Sequence, residues 1–170
     1  KFTQRLDLEN VSQYIIERNV YNDMNEKEKA MAVYRRVLEI DKENAEANYF
    51  IAKVHFDRQQ YDSCLVYLKN SIKIFEKAYT KFKNLLFKNV EFKPELVAEL
   101  VKLWKEGKKD VLDQFIKVKL GYDEGLSAQE KNVEKFVKEN EALGRAYYLA
   151  GIVYINIKND TLASKYLTKS

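Results

Sequence analysis

One stretch limits what this chain can become more than any other: AEANYFIAKVHFDRQQYDSCLVYLKNSIKIF, residues 45–75. Tyr49, Phe50, Ile51, Ala52, Val54, His55 and Phe56 make a helix apolar on nearly every side, the pattern of a helix that is buried or lines a groove. Polar residues Asp57 to Gln60 then interrupt it. Beyond them Leu65, Leu68, Ile72, Phe75, Tyr79, Phe82 and Leu86 recur at three and four residues, which places them on one face of a second helix. The stretch therefore predicts two helices joined by a tight polar turn. With 5 glycines and 1 proline in 170 residues, the chain lacks the turns a β-rich fold needs.

The pattern recurs. Counting back 34 residues from Cys64 reaches Ala30, and from Leu68, Ser71 and Ile72 it reaches Tyr34, Val37 and Leu38. AMAVYRRVLEIDKEN (residues 30–44) thus repeats the second helix, and RAYYLAGIVYINIKNDTLASKYLTKS (145–170) matches a third time. These stretches resemble the tetratricopeptide repeat (TPR), an antiparallel helix pair of 34 residues. Ala52, Cys64 and Ser71 stand at the small positions where the family's helices cross most closely. Ala150-Gly151 and Tyr154 stand where the family has Leu-Gly and Tyr, followed by Ala163, Leu167 and Ser170. The matches cover 93 of 170 residues, at 11–76 and 144–170. Lys42 and Glu76 replace the usual closing proline. Glu17-Arg18 replaces the first Leu-Gly, so the opening helix is expected to serve as a polar cap.

The resemblance implies an all-α fold: a TPR-like right-handed helical repeat, or α-α superhelix, with an inserted helical hairpin. One domain is expected over 1–170. It divides into a divergent repeat at 11–44, a second at 45–76, an extended helix plus inserted segment at 77–126, and a long helix with a truncated repeat at 127–170.

In chain order, residues 1–10 read as a polar lead-in and Val11 to Met24 as the first helix. The second helix ends near Ile40, and the central repeat's second helix runs on to about Phe87. Lys93-Pro94-Glu95 is a good helix start, and that helix stops at Gly107. Asp110 to Leu120 is read as helix, although FIKVKLGY alternates like a strand. Ser127-Ala128-Gln129-Glu130 reads as a capping box, with Ser127 as N-cap and Glu130 reaching back. It opens a long helix to about Ile157. A final helix is expected to leave Leu162, Tyr166 and Leu167 open to more chain, a cap or a second copy. A chain that opens on Lys1 and stops within a helix is expected to be a fragment or mature form, with its compartment undetermined.

Little in the sequence points to chemistry. His55 is the lone histidine and stands where the family packs an aromatic. Cys64, the lone cysteine, occupies a small buried position where thiols are inert. Gly-rich phosphate loops, HExxH and EF-hand patterns are absent from the sequence. The expectation is no enzyme, no cofactor and no metal site. The longest apolar run, Tyr147 to Ile155, is too short to span a bilayer.

Net charge is +4, with 30 basic and 26 acidic residues. Residues 69–109 hold 11 lysines, 5 glutamates and no arginine, and Lys69, Lys73, Lys77 and Lys81 fall every fourth residue. One reading is a solubilising face. The alternative is an electrostatic binder of anionic membrane or nucleic acid, disfavoured because arginine dominates specific phosphate recognition.

In TPR proteins the first helix of each repeat lines a concave wall that holds a peptide or a partner's helix. Carried over, the wall would consist of Asn19 with Ile15, Asn22 and Asp23; Tyr49, Lys53, Phe56 and Asp57 with Glu46; and Tyr148, Ile152 and Asn156 with Arg145 and Ile155. Tyr49 and Phe56 around Lys53 have the make-up of a hot spot. Alternatively the inserted segment fills the wall. Family members that clamp chaperone tails need polar residues where Ile15, Phe50 and Leu149 stand; Asn19 alone fits, which argues against a clamp. The expected function is a non-enzymatic adaptor for another protein, with self-association through the C-terminal face as a further possibility.

Overall fold

A computed structural model describes residues 27–170. Among them are seven helices and no strand: α1 (Lys27–Ile40), α2 (Ala45–Asp57), α3 (Tyr61–Leu86), α4 (Pro94–Lys105), α5 (Lys109–Leu120), α6 (Leu126–Asn156) and α7 (Asp160–Leu167). The fold is all-α and TPR-like. The lead-in, the helix expected at Val11 to Met24 and Asn19 lie outside the described residues.

The described chain forms two compact units, one of residues 27–74 and 145–170 and one of residues 75–144. In the first, α1 and α2 close on a shared core of Ala30, Met31, Tyr34, Val37, Ala47, Ile51 and Val54. Asn44 caps α2, its side chain accepting from Ala47 N at 2.9 Å. Lys27 Nζ lies 3.0 Å from Asp57 Oδ2, and Arg58 pairs with Glu28, so the start of α1 is tied to the end of α2. Ala52, Cys64 and Ser71 are all fully buried. Small side chains let helix backbones approach, and Ser71 Oγ donates to Ala45 O at 2.9 Å.

The turn after α2 is a Schellman motif. Gln60 N donates to His55 O and Gln59 N to Phe56 O, both at 2.9 Å. Gln59 sits in the left-handed region, at φ 59°. The turn after α6 repeats it: Asn159 N donates to Tyr154 O at 2.8 Å, Lys158 N to Ile155 O at 3.0 Å, and Lys158 has φ 57°.

Helix α7 departs from the sequence reading. Tyr166 and Leu167 are half-buried rather than open. Tyr166 stacks on Tyr154, with ring centroids 5.4 Å apart, and meets Tyr147 at 6.1 Å. Leu167 lies over Gly151, whose missing Cβ leaves it room. Leu162 is half-buried too. The face expected to await more chain is thus partly closed by α6.

In the second unit α4 and α5 form a hairpin around a core that includes Leu100, Leu112, Phe115, Ile116, Leu120, Val133 and Phe136. The strand-like alternation of FIKVKLGY is overridden by Phe115, Ile116 and Leu120, which all bury on one helical face. The capping box at Ser127 does not form. Helix α6 starts one residue earlier, and its opening amide, Leu126 N, donates to Asp113 Oδ1 at 2.8 Å. Ser127 Oγ instead donates to Glu124 O at 2.9 Å, and Glu130 pairs with Lys109. A carboxylate from α5 has taken the capping role that local sequence assigns to a serine.

Candidate functional site

The described residues expected to line a wall lie within the first unit, on α2 and the end of α6. Burial pushes the Tyr49 hydroxyl pKa up, with the Arg145 charge on α6 opposing and Cys64 adding to the rise. At the other end, Phe56 meets the Tyr61 ring at 6.2 Å, and Tyr61 donates to Asn156 Oδ1 at 3.3 Å. Asn156 is held in turn by donating to Ile152 O at 2.8 Å. Tyr61, the first residue of α3, thus links Phe56 at the end of α2 to Asn156 at the end of α6. Tyr61 was missed by the sequence reading, since it belongs to the second helix of its pair.

These residues differ in how open they are. Lys53 is exposed, Tyr49 and Phe56 are half-buried, and Tyr49 also packs edge-on against Phe50. Asp57 is engaged by Lys27. On α6, Tyr148 and Ile155 are 57% and 49% exposed, with half-buried Ile152 between them. Positions 148, 152 and 155 share one helical face, so they form a solvent-facing apolar stripe. Beside Tyr61 a polar hollow of about 330 Å³ opens among Gln59, Gln60, Asp62, Ser63 and Ile157.

His55 does not face a reacting centre. Its Nδ1 lies 2.7 Å from Gln60 Oε1, and its ring stacks on Tyr67 at 5.6 Å. Cys64 is fully buried, and burial raises its thiol pKa to about 11. A thiol so placed is a poor nucleophile. Among the described residues no group of three or more His, Cys, Asp or Glu could hold a metal ion. Among them, too, no helix is long and apolar enough to cross a membrane.

The lysine-rich segment is partly neutralised. Lys105 pairs with Glu141 at 2.6 Å, Lys108 with Glu106 at 2.8 Å, Lys109 with Glu130 at 3.1 Å and Lys93 with Glu91 at 3.8 Å. Lys83 lies over the Phe92 ring, 4.6 Å from its centroid. Lys69, Lys73, Lys77 and Lys81 remain exposed.

Helix pairs closed by a like turn, with small residues buried between them, define a helical-hairpin repeat protein. Residues 19–59 match the family model for the TPR repeat. The chain carries a TPR repeat there, and such repeats serve protein interaction. A solved structure described as YrrB, a TPR protein with an unusual peptide-binding site, aligns over 99% of this chain and 90% of its own. Identity is 20% and the TM-score 0.37. No curated protein matches this chain.

Proposed function

We propose that this chain is a non-enzymatic adaptor that holds a peptide or helix of a partner protein along the wall made by α2 and α6. Lys53, Tyr148, Ile152 and Asn156 would make the open contacts. Tyr49 and Phe56 would supply rigid aromatic edges, and Asp57 would act through its pair with Lys27. Asn19, which the family resemblance adds to the same set, lies outside the described residues. The observation that carries the reading is the apolar stripe of Tyr148, Ile152 and Ile155, left facing solvent along α6. Exposed aromatic and aliphatic side chains are the usual anchors of an interface.

Affinity capture from the native lysate tests it. Wild type is compared with Tyr148→Ala plus Ile155→Ala, whose exposed sites leave the fold intact, and with Tyr49→Ala plus Phe56→Ala. Loss of a captured partner in both, with retention in added salt, supports the wall. Retention in both, with loss on charge reversal at Lys73 and Lys77, would favour the electrostatic reading instead.

A further inference from the structure

A second site lies in the other unit. Between the α4–α5 hairpin and the first turns of α6 is a pocket of about 320 Å³ lined by Leu103, Trp104, Leu112 and Leu126, with Lys109, Glu130 and Glu134 among its walls. Its size and apolar lining are those of a binding cleft. Gly107 borders it, and a Cβ added there would meet nothing within 4 Å, so that side of the mouth is open.

The rim charges choose the occupant. Glu130 and Glu134 stand one turn apart on α6, a like-charge spacing that is unfavourable on a helix. Lys109 Nζ reaches Glu130 Oε1 at 3.1 Å and offsets that charge. Among the described residues Glu134 has no ion pair, which leaves an excess of one negative charge on the rim. An aromatic face, an apolar floor and an unmatched carboxylate together suit a cation on an apolar stem.

The geometry points to this pocket as a receptor for a lysine or arginine side chain of a partner protein, its methylenes against Trp104 and Leu112 and its charge at Glu134. The site is independent of the α2–α6 wall: residues 103–134 contribute nothing to that wall, and either reading can fail without the other.

Trp104 is the chain's one tryptophan, so its fluorescence reports on the pocket directly. The full chain is titrated with n-hexylammonium, with n-hexanol, and with an acetylated, amidated alanine pentapeptide carrying one central lysine. Saturable changes with the amine and the peptide are expected, with n-hexanol weaker. Glu134→Gln, matched to wild type by circular dichroism, is expected to weaken amine and peptide about fivefold, the scale of one exposed ion pair, and to leave n-hexanol unchanged. Equal binding of n-hexanol and n-hexylammonium, or no effect of Glu134→Gln, overturns the charge assignment. Binding of the amine without the peptide overturns the partner-protein assignment. No saturable change overturns the site.

Discussion

Gln59 and Lys158 hold the same place in two turns far apart in the chain. Each follows a helix, each has positive φ (59° and 57°), and each amide donates to the carbonyl three residues back. Glycine is the usual occupant of this position because it has no Cβ to crowd the carbonyl. Both side chains are exposed, so neither gains packing in return.

Gln59→Gly and Lys158→Gly are therefore each expected to stabilise the protein, by about 0.5–1 kcal/mol. The left-handed conformation costs a side-chain-bearing residue roughly 1–2 kcal/mol, of which glycine's extra unfolded-state freedom returns part. Urea denaturation checks this, and a lower midpoint in both variants would contradict it.

Gly151 makes a sharper case. A Cβ there would lie 2.5 Å from Leu167 Cγ and Cδ2, so Gly151→Ala is expected to cost about 1–2 kcal/mol through overpacking. Leu167→Ala removes the obstructing atoms. The double variant should then be more stable than the two single losses predict when added, a coupling that a thermodynamic cycle measures.

Asp113 links stability to acid. Its hydrogen bonds from Lys117 and from the Leu126 amide hold its carboxyl below the usual range. A carboxylate depressed by folding contributes fully above its unfolded pKa, about 3.9 for aspartate, and the contribution fades as pH falls through the lower folded value. Urea midpoints measured from pH 6 downward should fall more steeply in wild type than in Asp113→Asn. Parallel curves would count against the cap. Gly125→Ala should disturb the same corner, because its Cβ would sit 2.1 Å from Asp113 Oδ1 at a positive φ.

Cys64 should react only when the protein opens. With the thiol fully buried and its pKa raised to about 11, alkylation at pH 8 is expected to be far slower than for a free thiol and to accelerate through the denaturation midpoint. Reaction at the rate of a free thiol in native buffer would show that the residue is open.

What could be read from the residues was what spacing alone determines. Ala52, Cys64 and Ser71 betray their burial because only small side chains recur where helices cross. The Ser127 cap was misread because capping grammar is local, whereas its replacement, Asp113, comes from the preceding helix. Tyr166 was read as open because nothing in its own helix announces stacking on Tyr154, one turn of chain away. The pocket at Trp104 was not legible either, because the carboxylate lining it belongs to α6 and no spacing rule joins residues 104 and 134. Phe56 meets Tyr61 across a turn that sequence periodicity does not bridge.

The first unit is discontinuous in sequence, and this has a consequence for biogenesis. Residues 75–144 are contiguous and hold their own core, so they can complete their packing as soon as they leave the ribosome. Residues 27–74 must wait for 145–170 before Tyr154 and Ala163 take their buried places. During that interval the half-made unit leaves apolar surface exposed.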